Sequence, residues 1–256
     1  MTQRSASPPI AILSALPQEQ RGLIELLHQP RQVRHASRDF WLGELHGQPV
    51  VLALSKIGKV AAATTATALV ERFEVGRIVF TGVAGGLGAD VKVGDVVVAS
   101  DFVQHDLDAS PLFARYEVPL YGKTRLPCDP YLSAVLFEAS CLALAHESLE
   151  AHGFRGARVH RGLIASGDRF VCGADESRRL LDSMAAAGHA VQAVEMEGAA
   201  VAQVCLDYGV PFAVMRTISD RADDSAHVDF SQFVETVASP CARLVMNRFI
   251  KLLSKN

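Results

Sequence analysis

The chain has 256 residues, 49% of them hydrophobic, with 28 acidic side chains against 25 Lys and Arg. That suffices for one large core, and the near balance of charge argues against nucleic acid or an anionic membrane as partner. No apolar run reaches the roughly 20 residues that cross a bilayer, and the polar start Met1–Pro9 lacks a signal-peptide core, so a cytoplasmic protein is expected.

In chain order, Met1–Pro9 is expected to be poorly ordered, and Ile10–Leu16 reads as a buried strand. Gln20–Leu27 reads as a helix and Pro49–Ser55 as a strand. Val60–Phe73, rich in Ala and Thr, is a helix entered through Ile57-Gly58-Lys59. Arg77–Thr81 predicts a strand, then a glycine-rich turn, then a strand at Asp95–Ala99. Ser100–Pro130 is irregular, and a connection that long is usually functional or at an interface. Leu132–His152 predicts a helix, Val159–Ala165 a strand, Asp175–Ala187 a helix and Ala190–Val194 a strand. Gly198–Tyr208 is a helix stopped by Gly209 and Pro211. Phe212–Ile218 is a strand, and Phe230–Leu253 a helix interrupted near Pro240. Strand–helix alternation without repeats or linkers implies one α/β domain, residues 10–256, with a mostly parallel sheet covered on both faces.

Cys128, Cys141, Cys172, Cys205 and Cys241 are odd in number and widely spaced. They form neither a zinc motif nor a disulfide framework, and read as small, mostly buried apolar residues. His227 with Asp220, Asp223, Asp224 and Asp229 fits no metal-ligand spacing, so a solvated acidic loop is expected and no metal.

Two places carry chemistry. Thr81-Gly82-Val83-Ala84-Gly85-Gly86-Leu87-Gly88 follows a strand, and its glycines would let a ligand approach the backbone. Its register is not the dinucleotide fingerprint, and no Lys-Ser/Thr follows, so neither a redox cofactor nor a P-loop is expected; a plain tight turn is the competing reading. Val194-Glu195-Met196-Glu197-Gly198-Ala199 then sets two carboxylates at a strand-to-helix turn, and Arg216-Thr217-Ile218-Ser219-Asp220 sets a third where the next strand ends. Acids at the carboxyl edge of such a sheet suggest acid/base chemistry on a polyhydroxyl substrate.

Taken together, these motifs resemble the 5′-methylthioadenosine/S-adenosylhomocysteine nucleosidases, hydrolytic members of the purine nucleoside phosphorylase superfamily. The resemblance runs from about Ile10 to Phe249. It implies a three-layer α/β/α sandwich with a mixed, mostly parallel twisted sheet. It also implies a homodimer that needs no cofactor and cleaves the N-glycosidic bond of a nucleoside. Such cleavage needs a proton for the departing base and a water activated against the sugar. The Arg-x-Ile-Ser-Asp match makes Asp220 the acid, oriented by Ser219; burial would suit it to that task, and a helix N-cap is the competing reading. Glu19, the last of the family's run of acids, would activate the water, with a first-turn surface glutamate as the alternative. Glu197 would take the ribose 2′- and 3′-hydroxyls with Met196 on the sugar face. Glu195 would be a supporting carboxylate, with Arg216 as its partner.

The glycine loop then corresponds to the purine-site loop, with Val83, Ala84 and Gly85 lining ribose and base. Phosphorylases carry an arginine just before it to hold phosphate; the corresponding position is Thr81, which disfavours a phosphorylase. Val83 departs from the serine common in nucleosidases. Ser166-Gly167-Asp168-Arg169-Phe170-Val171 resembles the purine-binding stretch, with Phe170 stacking on adenine and the Val171 backbone reading its edge. Ile57 and Phe230 would face the sugar and 5′-alkylthio group. His105-Asp106 and Ala109–Phe113 match the segment that reaches the neighbouring subunit, so Ala109, Leu112 and Phe113 would complete its 5′ pocket. Besides the phosphorylase, a nucleoside-binding protein on the same fold is the non-enzymatic alternative.

Overall fold

Buried apolar runs set the centre of the sheet. In the computed structural model, residues 7–146, 149, 154, 156–222 and 230–255 are described, excluding the side chains of Phe230 and Ser231. Strand β1 (Ile10–Ser14) is buried at every position. It pairs in parallel with β4 (Gln48–Leu54) on one side and β5 (Arg77–Gly86) on the other. A strand covered on both faces shows no polar alternation, which is why it reads as a continuous apolar run.

Beyond β4 lies an antiparallel hairpin, β2 (His28–His35) and β3 (Arg38–Leu45), which the sequence reading left without structure. β2 is exposed along nearly its whole length. With both faces in water it has no hydrophobic period, and its Pro and Arg residues suit a sheet edge.

The other half of the sheet contains β6 (Val96–Gln104), β7 (Leu126–Pro127), β8 (Val159–Ser166), β9 (Val191–Glu195) and β10 (Phe212–Asp220). β10 pairs in parallel with β5 and antiparallel with β6. β6 pairs with β8, β8 with β9, and β9 returns to β5. These strands close a ring, from which β1, β4, β3 and β2 extend as an open wing. The ring corrects the reading of the glycine stretch as a turn. Thr81–Gly86 is strand, held by β10 on one side and, at Gly85 and Gly86, by β9.

Helices cover both faces, as a three-layer sandwich requires. α2 (Lys59–Phe73) and α5 (Gly198–Tyr208) pack on Phe80, Phe102 and Phe212. α1 (Pro17–Ile24), α3 (Pro130–Leu144) and α6 (Ser239–Leu253) pack on Ile12, Val79 and Met215. α4 (Ala174–Ala186) seats Met184 in a smaller cluster with Val103, Leu163 and Val191.

The helix ends differ in places from those expected. α1 starts at Pro17, because proline suits a first helical position. α3 stops at Leu144, and residues 147, 148 and 150–152 of the expected helix lie outside the described set. The terminal helix begins at Phe230 and passes through a π-type turn at Val234–Ala238; Pro240 sits in the first turn of α6, so the irregularity precedes it.

Candidate active site

A cleft opens at the carboxyl ends of β1, β5, β9 and β10. Its wall holds Glu19, Ile57, Val83, Ala84, Gly85, Phe170, Val171, Glu195, Met196, Glu197, Arg216, Ser219 and Asp220. Strand ends far apart in the chain thus converge where open α/β sheets bind ligands.

Glu19 is buried at the third position of α1. Its Oε2 accepts the N–H groups of Ala15 at 2.8 Å and Leu16 at 2.9 Å. Its Oε1 makes no bond of good geometry with the protein; the Val83 N–H lies near enough only to favour its charge slightly. Burial raises the carboxyl above its ordinary range, outweighing those amides and the Arg216 guanidinium.

Arg216 is 1% exposed. Its Nη2 donates to Glu195 Oε2 at 2.6 Å, and its guanidinium carbon sits 4.0 Å from the Phe80 ring centroid. Its Nε and Nη1 have no hydrogen-bond partner among the described residues. Gly82 separates this free edge from Glu19: a Cβ there would lie 2.8 Å from Arg216 Nη1 and 3.2 Å from Glu19 Oε1. A side chain at position 82 would crowd both groups.

Glu195 is saturated. It accepts from Ser166 Oγ, from the N–H groups of Glu197 and Gly198, and from Arg216. Those donors fill the lone pairs of a carboxylate, so its work is to hold Arg216 and the start of α5. Glu197 is freer. Its Oε1 accepts the Gly58 N–H at 2.9 Å, and burial, reinforced by the Glu195 charge, pushes its carboxyl up to about 7.

Asp220 ends β10. Its Oδ2 accepts Ser219 Oγ at 2.7 Å and its Oδ1 accepts the Ala222 N–H at 2.7 Å. The second bond closes a two-residue turn, and Ala222, at φ 52°, is not helical, so no helix starts directly after Asp220. A Cβ at Gly85 would lie 3.0 Å from Asp220 Oδ1 and 2.9 Å from the Ala222 Cβ, so only glycine lets β5 pass beneath the acid.

The remaining residues sort by position. Phe170 and Ile57 are 45% and 58% exposed at the mouth, with Val171 buried behind. Ala109, Leu112 and Phe113 do not line the cleft of their own chain. Phe230 opens the last helix, but its side chain lies outside the described set. Thr81 is fully buried and does not line the cleft, whereas its neighbour Phe80 lies beneath Arg216. The sequence reading missed Ala15, Leu16, Val194 and Arg169. The first three are apolar and carry no chemical signal; Arg169 stood inside a quoted motif and is ion-paired with Glu176.

Among the described residues no group of three or more His, Cys, Asp or Glu could hold a metal; residues 223–229, with His227, lie outside that set. Cys128, Cys205 and Cys241 are buried, Cys141 exposed and Cys172 half-buried. Burial pushes the Cys205 and Cys241 thiols up to about 12, which makes them poor nucleophiles.

Comparison with known proteins gives the family and the fold. The sequence pattern of the phosphorylase superfamily matches residues 9–251. The chain is 38% identical over 240 residues to the 5′-methylthioadenosine/S-adenosylhomocysteine nucleosidase of Chromohalobacter salexigens, covering 92% of this chain and 94% of that one. Among solved structures it is similar to the Neisseria meningitidis nucleosidase of that name, in complex with methylthio-immucillin-A: TM-score 0.82, 35% identity, 96% of this chain and 99% of that one. It is also similar to futalosine hydrolase of Helicobacter pylori: TM-score 0.82, 32% identity, 95% and 98% coverage.

Proposed function

The chain belongs to the 5′-methylthioadenosine/S-adenosylhomocysteine nucleosidase family of the phosphorylase superfamily; from that premise we propose that it hydrolyses the N-glycosidic bond of 5′-methylthioadenosine, and of S-adenosylhomocysteine, to adenine and the thioribose product. One observation carries the reading. Glu19 Oε1 and Arg216 Nη1 are buried, make no well-formed hydrogen bond among the described residues and flank Gly82 in the cleft that holds Asp220. Buried polar atoms take a water when no side chain serves them. A water there would donate to the carboxylate and accept from the guanidinium, which is the alignment a nucleophile needs.

The other residues follow. Asp220, held by Ser219 and the Ala222 amide, protonates the departing adenine, through N7. Phe170 lies against the base. Glu197 accepts from the ribose hydroxyls, and those bonds tighten as positive charge grows on the sugar.

Electrostatics favours water over phosphate. The guanidinium already gives one edge to Glu195, and the Glu19 and Glu197 carboxyls also line the cleft. An incoming phosphate would meet only guanidiniums already paired with carboxylates, Arg216 with Glu195 and Arg169 with Glu176. Adenine release should therefore proceed at full rate without phosphate, and millimolar phosphate should not accelerate it. Sugar 1-phosphate in a phosphorus NMR spectrum would move the protein to the phosphorylases; binding without adenine release would make it a nucleoside-binding protein. Futalosine belongs in the same assay, because a futalosine hydrolase matches at the same TM-score.

A homodimer is part of the proposal. Leu112 is 84% exposed, Leu120 90% and Val60 78%, with Ile57 near Val60 in sequence at the mouth. Exposed apolar side chains of this size are the usual material of an interface. Light scattering should give twice the chain mass at micromolar concentration; a fully active monomer would refute the dimer.

A further inference from the structure

Three segments meet beside the mouth of the cleft, two of them following the paired ends of β6 and β8. They are the start of α2 at Lys59, the end of β6 with Asp106 beyond it, and Asp168 beyond β8. Lys59 Nζ donates to Asp106 Oδ1 at 2.6 Å and to Gln104 Oε1 at 3.0 Å. The Asp168 N–H donates to Asp106 Oδ2 at 2.9 Å, and the Lys59 N–H donates to Asp168 Oδ1 at 2.7 Å. The bonds form a closed triangle. Burial works to raise the Asp106 carboxyl, but the Lys59 ammonium and the Asp168 amide hold it below its ordinary range, so that carboxyl is ionised at neutral pH.

What the triangle supports is a turn that resists forming. Lys56 has φ 62° and Gly58 φ 94°, one on each side of Ile57. A non-glycine residue in that region is strained, and surrounding contacts must hold it. Two consecutive amides then leave this turn for different carboxylates. Lys59 N–H goes to Asp168 in the triangle, and Gly58 N–H goes to Glu197 Oε1 at 2.9 Å in the cleft.

We propose that Lys59, Asp106 and Asp168 are positioning residues for the hydrolysis: their triangle fixes the Gly58 amide, and that amide aims the Glu197 carboxylate at the ribose hydroxyls. None of the three touches the reacting atoms. This rests on the role given to Glu197 above, so the test includes a readout independent of turnover.

The variants are Asp168→Ala and Lys59→Met, with Lys59→Arg as the conservative restoration. Thermal unfolding establishes that each is folded. In Asp168→Ala the KM for 5′-methylthioadenosine should rise about tenfold, the scale of one lost charge-assisted hydrogen bond, with a smaller change in kcat. Lys59→Met should follow, and Lys59→Arg should recover most of the loss. Glu197 faces Glu195, Arg216 and Glu19 as well as the Gly58 amide, and only the last depends on the triangle. That amide favours the charged carboxylate, so losing it raises the Glu197 carboxyl further, and the acid limb of kcat/KM should move to higher pH. Hydrogen exchange at the Gly58 amide, without substrate, should quicken in both variants. Unchanged exchange, or a KM within twofold of wild type in both variants with an unmoved acid limb, overturns the proposal. If the wild type releases no adenine the functional reading falls, while the exchange measurement still decides whether the triangle holds the turn.

Discussion

Asp220→Asn should lower kcat for adenine release by about 10²–10⁴-fold, the usual contribution of a positioned general acid. The substitution preserves shape. An asparagine oxygen can still accept the Ala222 N–H, and its amide can donate to Ser219 Oγ, so both bonds that hold Asp220 have a counterpart. Only the transferable proton is lost. KM should change little, since the residue acts on the leaving group and not on the sugar. A 5′-alkylthio riboside whose leaving group departs without protonation should lose far less, which separates proton transfer from a disturbed cleft. Near-normal turnover of 5′-methylthioadenosine by Asp220→Asn across several pH values would remove Asp220 from the mechanism.

Glu19→Gln should lower turnover by a similar factor, about 10²–10⁴, because an amide cannot take the proton of the attacking water. This variant also has a stability signature with the opposite sign. Burial raises the folded-state carboxyl above its ordinary value of 4.5. A raised carboxyl contributes stability that is fully present below about 4.5 and lost as pH rises through the folded value. Glutamine behaves as the neutral form at every pH. Wild type should therefore lose stability relative to Glu19→Gln between acid and mildly alkaline pH, in denaturant titrations run side by side. A difference that is flat or opposite in sign would show that the Arg216 field outweighs desolvation. Retained turnover would show that another group activates the water.

Sequence and structure agree where burial dictates pattern. β1, β9 and β10 are apolar runs because helices or sheet cover both their faces, so their ends, and with them Glu195, Glu197 and Asp220, were readable. The hairpin β2–β3 was not, because its outer strand is solvated on both sides and carries no period. The glycine stretch misled for a different reason. Gly82 and Gly85 are required by neighbours that approach β5, namely Arg216 with Glu19 and Asp220 with Ala222, and not by a reversal of the chain. Local chemistry cannot distinguish those two uses of glycine. The saturation of Glu195 was equally invisible: Ser166 lies 29 residues before it in sequence, and only the β8–β9 pairing brings its hydroxyl to that carboxylate.

The closing of the ring has a consequence for how such a protein can diversify. β10 carries Arg216, Ser219 and Asp220; it pairs with β5 from Phe212 to Asp220, with a register shift between Ile218 and Asp220, and with β6 at Met215–Thr217, so around Arg216 both of its edges are bonded. A one-residue insertion or deletion there would exchange Arg216 with Thr217 across the sheet, with no free edge to absorb the slip. The residues proposed to break the bond are thus confined to a frame that tolerates little. The mouth is built otherwise: Ile57 lies in a connection, and 105–125 lies between strands, where length and side chains can change without moving an acid. New preferences for the group beyond C5′ can arise at the mouth while the cleavage step stays as it is. A nucleosidase and a futalosine hydrolase matching this one chain equally well in shape is what that separation of duties would produce.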